Sequence, residues 1–223
     1  MANYNMRYTF DRDRASALEY MAKLLEEKPN ARILDVGGNH NTWAKQYATH
    51  YVDIFEVPGT KTFQGNMNMY HVWQEVYKDV ELNGKFDFCV CTHTLEDICN
   101  PRMPLYFMPH IAQEGYIATP SKYAELTTNI YALRGSVHHR WIFNREINNR
   151  IVIYPKINWM ERETKFDKVC YPSWDAMLAD QTEEIQFFWK EEIDYEFIND
   201  DYLGPSDDAI FNNYNRLLND SVR

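Results

Sequence analysis

Apolar and polar positions alternate along the chain in short runs of two different periods. Leu18, Met21, Ala22 and Leu25 recur at helical spacing and predict a helix running from a cap at Asp13 to about Glu27, stopped by Pro29-Asn30. Residues 31–36 read as a short buried strand that ends on Gly37-Gly38. Asn39 or Asn41 is placed to cap a following helix from Thr42 to Ala48. Tyr51 to Phe55 forms a second strand, closed by Pro58-Gly59, and Thr62-Phe63-Gln64 a third. Val72, Val76 and Val80 set a helix over residues 70–82, which Asn83-Gly84 ends. Phe86 to Cys91 is almost continuously apolar, as strands at the centre of a parallel sheet are. A helix from Met103 to Ala112, which Pro109 should kink or shorten, and a strand from Gly115 to Pro120 follow. Strand and helix alternate over the first 120 residues, the order of an α/β sheet with parallel neighbours.

Beyond Pro120 the rhythm changes. Ser121 to Leu133 is expected to be helical, Gly135 to Phe143 is rich in histidine and aromatic residues, and Arg150 to Tyr154 reads as a strand of an inserted hairpin. Ile185, Phe187, Phe188 and Trp189, with Tyr195 to Ile198, suggest a terminal antiparallel pair. Asp207 to Leu218 carries Ile210, Tyr214, Leu217 and Leu218 on one helical side. These elements fit a single domain over 1–223, with a substrate-side insertion at about 121–170.

The 223 residues suffice for one well-buried core. No apolar run approaches the ~18 residues that cross a bilayer, so no membrane partner is expected. Met1 to Asn5 shows no basic-then-apolar leader. Four cysteines with no CxxC pair predict neither a disulfide framework nor a structural zinc site; Cys89 and Cys91 lie two apart on one strand, and a reducing cytoplasm is the natural setting. The net charge of −10 argues against nucleic acid. That charge is uneven: residues 134–168 hold eight basic and four acidic side chains, whereas 169–223 hold three and thirteen. The basic middle either meets an anionic substrate or offsets the acidic tail.

The chemistry starts at Asp35-Val36-Gly37-Gly38-Asn39. A strand that delivers a glycine turn lets backbone groups approach a ligand closely. Asp53 lies in the second strand, where a carboxylate can accept both hydroxyls of a ribose. A strand-end carboxylate that bonds local N–H groups is the plainer reading of Asp35, and core packing is the plainer reading of Met67.

Ile-Leu-Asp-Val-Gly-Gly at 33–38 resembles the first motif of class I S-adenosylmethionine-dependent methyltransferases, and Tyr51-Val52-Asp53-Ile54 resembles their second-strand acidic motif. Phe86 to Asp97, with Thr92-His93-Thr94-Leu95-Glu96 at its end, is similar to the fourth-strand signature of the type 11-like members. The resemblance covers about residues 15–125. It implies a Rossmann-like, doubly wound, mostly parallel sheet with helices on both faces and a cap or hairpin inserted after the fifth strand. It further implies S-adenosyl-L-methionine as cofactor. Asp35 would be among the cofactor-binding residues; Gly37, Gly38 and Asn39 would line the methionine part, Asp53 the ribose, Asn66 and Met67 the adenine, and Thr92 with His93 the floor.

The chain departs from the pattern at Asn39 and Asn41, where the family has glycines, at Asn66, where an acid is usual, and at Asp97, where many relatives have a second histidine. Asn tolerates left-handed backbone, so the turn can survive. His138 and His139 are the groups placed for base work near neutral pH, and Arg140 for gripping an anionic part of a small-molecule acceptor. A packed loop is the plainer reading of this stretch. No spaced carboxylate joins the histidines, so no metal is expected. The expected activity is O- or N-methylation of a small molecule. Its rivals are a catalytically silent binding or assembly protein on the same fold and a nicotinamide-dependent reductase. The reductase is disfavoured because the Gly-x-Gly-x-x-Gly spacing is missing.

Overall fold

A computed structural model of the chain describes residues 5–8, 15–38, 42–129, 131–146, 150–198 and 203–219. Asp13, Asn39 and Asn41, expected as caps or cofactor contacts, lie outside the described residues. The chain resolves into two compact units. Of the described residues, the first holds Asn5 and those from Ala15 to Ala118 and from Phe187 to Ile193; the second holds those from Met6 to Tyr8, from Thr119 to Gln186 and from Asp194 to Asn219.

In the first unit, α1 (Ala15–Glu27) precedes β2 (Ile33–Val36), β3 (His50–Asp53) and β4 (Lys61–Gln64); α2 (Tyr70–Asn83) leads to β5 (Phe88–Thr92), and α3 (Arg102–Ile111) to β6 (Glu114–Pro120). With β1 (Asn5–Tyr8) and β9 (Glu184–Lys190) these strands form one sheet in the order β1-β9-β6-β5-β2-β3-β4. β4, β3, β2, β5 and β6 pair in parallel, with Asp35 beside Tyr51 on one flank and beside Val90 on the other. Successive strands build outward from β2 to β4, then the chain crosses back to lay β5 on the other side of β2. Winding in both directions from β2 creates a switch point between β2 and β5.

Both faces of this sheet are covered. Ile33, Phe88, Val90, Tyr116 and Ala118 share a buried cluster with Ala17 and Met21 of α1. Their strand neighbours Leu34, Val36, Cys89, Cys91 and Ile117 point to the opposite face and are equally buried, which explains why these strands read as unbroken apolar runs. Cys89 and Cys91 are unbridged. α2 and α3 pack on one another, with Trp73 stacked on Phe107 at 5.1 Å. Gly84, at φ 80°, closes α2 through its N–H to Val80 O. Among the described residues, no helix is long and apolar enough to cross a membrane.

In the second unit, α4 (Lys122–Leu126) is followed by the antiparallel hairpin β7 (Trp141–Arg145) and β8 (Ile151–Pro155), then α5 (Trp174–Ala179), β10 (Tyr195–Phe197) and α6 (Asp207–Asn219). Leu126, Ile142, Val152, Tyr154, Phe166, Tyr214 and Leu217 form its core.

Several elements differ from the sequence reading. Thr42 to Ala48 is a series of turns, because the side chains that would face solvent on a helix are recruited elsewhere: Thr42 Oγ1 donates to Asp35 and Trp43 Nε1 to Thr92. The helix after Ser121 stops at Leu126, where the β-branched Thr127 and Thr128 turn extended and Thr128 bridges to Arg134. α3 continues through Pro109 for two residues, so the proline does not end it. β9 and β10 do not pair with each other. Glu191, at φ 68°, turns the chain between them, β9 joins the large sheet, and β10 runs parallel to β8. β1 and β7 carried too little alternation to be read as strands.

Candidate functional site

Parallel α/β sheets bind ligands outside the carboxyl ends of their strands, at the switch point. Here that place is the end of β2, where Val36 gives way to Gly37 and Gly38, facing the end of β5 at Thr92. Gly37 has φ +85°, a left-handed conformation that its N–H uses to reach Val52 O at 2.8 Å. A Cβ on Gly37 would overlap the side chain of Thr94, so the turn after β2 and the loop after β5 meet with only a glycine's thickness between them. A Cβ on Gly38 would overlap the Asp35 carboxylate in the same way. The two glycines therefore make room for distinct neighbours, one across the crevice and one on their own strand.

Asp35 is 2% exposed and accepts a hydrogen bond from Thr42 Oγ1 at 2.8 Å. Burial pushes its carboxyl up to about 7, the Thr42 hydroxyl opposes the rise, and the nearby charge of Asp53 adds to it. The plainer reading of Asp35 as a carboxylate bonded to local N–H groups is replaced by a carboxylate held by one hydroxyl. Asp53, the last residue of β3, is 8% exposed; its Oδ1 takes the Phe55 N–H at 2.8 Å, an Asx turn that ends the strand there.

After β4, Gly65 donates its N–H to Asp53 O at 2.8 Å, placing Asn66 and Met67 beside the end of β3. Asn66 is exposed, and its Oδ1 accepts from both Asn68 N and Asn68 Nδ2. Met67 is buried, and its carbonyl accepts from Trp73 Nε1 at 2.8 Å. Asn68 in turn accepts the Asn100 N–H at 2.7 Å.

At the end of β5, Thr92 Oγ1 accepts from Trp43 Nε1 at 3.0 Å. His93 has φ 47°, and its N–H reaches Ala118 O at 3.0 Å. The His93 ring is 45% exposed and lies 3.3 Å, Nδ1 to Oε1, from Glu96. Glu96 itself is 1% exposed. Burial, with the charges of Cys89, Asp35 and Glu96, holds the Cys91 thiol well above its usual range. Asp35, Asp53 and Glu96 are thus three buried carboxylates in or just after β2, β3 and β5. No lysine or arginine among the described residues pairs with them. Thr94 and Glu96 also stand on the loop after β5, within the stretch 86–97 that carries the resemblance.

The expected catalytic group His138, His139 and Arg140 belongs to the second unit. His138 and Arg140 are exposed, whereas the His139 side chain is 10% exposed. His139 Nδ1 lies 2.5 Å from Oε1 of Glu125, which is 1% exposed, and Lys156 Nζ donates to Oε2 of the same carboxylate at 2.6 Å and to Ser136 O at 2.8 Å. Gly135, at φ +57°, packs on the Glu125 backbone, where a Cβ would not fit. Glu125 and Lys156 stand 14 residues before and 17 after His139, so no local spacing announced them.

No protein-family model matches the chain, and no curated protein matches it. Solved structures do. An S-adenosylmethionine-dependent methyltransferase from Mesorhizobium loti matches at 11% identity over 77% of this chain and 96% of that one, with a TM-score of 0.40. One from Agrobacterium tumefaciens matches at 10% identity over 82% of this chain and 64% of its own, with a TM-score of 0.39. The N-terminal domain of EvdMO1 with SAH bound matches at 11% identity, 78% and 80% coverage and a TM-score of 0.37.

Proposed function

We propose that the chain binds S-adenosylmethionine in the crevice between the ends of β2 and β5 and transfers its methyl group to a small-molecule acceptor. The observation that carries this reading is the set of buried carboxylates Asp35, Asp53 and Glu96 around the Gly37-Gly38 turn, with no lysine or arginine among the described residues to neutralise them. A cationic nucleoside suits such a surface, because its charge offsets the cost of burying carboxylates. The pyrophosphate of a nicotinamide dinucleotide would be repelled by it.

The residues present fit the cofactor. Gly37 and Gly38 add no side chain of their own to the turn that a methionine tail would approach. Asp53 keeps a second carboxylate oxygen beyond its bond to Phe55 for ribose hydroxyls. Met67 and Asn66 follow β4 on the adenine side that the resemblance assigns them. When bound, the cofactor supplies a methyl already activated by its sulfonium, so much of the rate comes from alignment.

Within the second unit, we take His139 as the candidate proton acceptor. Glu125, 2.5 Å from His139 Nδ1, favours the tautomer with the proton on that nitrogen, which supports Nε2 as the proton acceptor. We assign Arg140 to an anionic group on the acceptor, with His138 beside His139 at a ring distance of 4.5 Å.

Calorimetric titration with S-adenosylmethionine and S-adenosylhomocysteine tests the reading. Saturable binding of either is expected; no heat from both sinks it. Binding without methyl release to any of a panel of hydroxyl and amine acceptors would favour a silent relative.

A further inference from the structure

Glu96, on the loop after β5, carries a carboxylate with no hydrogen-bond donor among the described residues. Both of its oxygens are buried and without a hydrogen-bond partner among the described residues. Its neighbour at 3.3 Å is the His93 ring, which neutralises it only when protonated. Asp35, by contrast, is served by Thr42 and Asp53 by the Phe55 N–H. Burying a carboxylate without donors costs free energy that a fold recovers only if something supplies them. The loop that carries Glu96 is also fixed against the cofactor turn. Thr94 fills the space over Gly37, its Oγ1 donates to Thr92 O at 3.1 Å, and Asp97 N closes back on Thr94 O.

We propose that Glu96 is a ligand-binding carboxylate that receives a cationic nitrogen in the crevice, an ammonium or protonated amine. The proposal rests on the crevice being the binding site proposed above. Two sources carry this chemistry, the amino-acid end of the cofactor and an amine on the methyl acceptor. A carboxylate kept for a ligand also makes a prediction about the empty protein. It is a stored cost, so neutralising it should stabilise the fold while weakening binding. A carboxylate whose purpose is to anchor the loop through His93 predicts the opposite.

The test compares the full chain with its Glu96→Gln variant. In calorimetry, wild type should bind S-adenosylhomocysteine about tenfold or more tightly than Glu96→Gln, the size expected for a hydrogen bond to a charged group. If 5′-methylthioadenosine, which lacks the amino-acid end, binds both proteins alike, the source is the cofactor. If S-adenosylhomocysteine binds both alike, protein saturated with it is titrated with phenethylamine and with the neutral phenethyl alcohol. Amine uptake that Glu96→Gln abolishes then assigns the acceptor as the source. No effect of Glu96→Gln in either arm overturns the proposal.

Melting of the ligand-free proteins gives a separate readout. Glu96→Gln should melt about 2–4 °C higher, and a lower melting temperature overturns the proposal. Failure of wild type to bind S-adenosylhomocysteine at all would instead overturn the cofactor reading, and the melting comparison would still decide the role of Glu96.

Discussion

The Thr42 hydroxyl donates to Oδ2 of Asp35 at 2.8 Å, and this bond holds a carboxylate that is otherwise sealed from water at the end of β2. Burial and the charge of Asp53 push that carboxyl up to about 7, against the pull of the Thr42 hydroxyl. The unfolded chain ionises Asp35 near 4. Between those values the folded protein keeps a proton that the unfolded chain releases, so stability falls as pH rises through this window and is level above it. Urea denaturation between pH 4 and 8 should show this decline, on the order of 1 kcal/mol per pH unit, and Asp35→Asn should lose it. Thr42→Val removes a bond that favours the charged form and should carry the decline to higher pH. A wild-type profile as flat as that of Asp35→Asn would refute the assignment.

Gly37→Ala introduces a side chain at φ +85° and into the space of Thr94. The left-handed strain alone costs about 1–3 kcal/mol, and the overlap adds to it. Shortening Thr94 to Ala in the same protein removes the overlap and leaves the strain. The double variant should therefore be more stable than Gly37→Ala alone, a coupling readable by thermal melting. Strict additivity of the two substitutions would show that the turn and the β5 loop do not meet.

The Glu125 cluster should behave as one ionic unit. Lys156→Met leaves a buried carboxylate facing only the His139 ring and should cost about 3–5 kcal/mol, as should Glu125→Gln. Because each single change strands the other's charge, Glu125→Gln with Lys156→Met should cost clearly less than the two added together. Denaturant unfolding of the four proteins in the cycle measures the difference.

How much of this was legible in the residues depends on range. The five parallel strands and the helices α1 to α3 follow from local periodicity, and the switch point follows from their order, because parallel pairing and handed crossovers leave few alternatives. Gly37, Gly38 and Asp53 each sit at a strand end, where chain order alone fixes the neighbourhood. Thr42 was read as helical because a sequence shows its propensity but not its bond to Asp35. The separation of β9 from β10 turns on the backbone of Glu191, a residue with no intrinsic preference for φ 68°. Glu125 and Lys156 were invisible for a different reason. They meet through a hairpin and a shortened helix, and nothing within a few residues of either records the meeting.

Asp53 connects the charge of the crevice with its ligand. Asn at this position keeps the oxygen that takes the Phe55 N–H, so the Asx turn and the end of β3 should survive. What disappears is one negative charge. Affinity for S-adenosylhomocysteine should fall about tenfold or more, since an amide replaces a carboxylate that accepts charge-assisted bonds from ribose. At the same time Asp35 loses the neighbour that helps to raise it, so its pKa should drop and the pH window over which stability declines should close from its upper side. At pH 8 the unliganded Asp53→Asn protein should therefore be more stable than wild type while binding more weakly. Calorimetry and denaturation on the same preparation check both halves. Weaker binding with lower stability would make Asp53 a structural residue of the turn and remove it from the site.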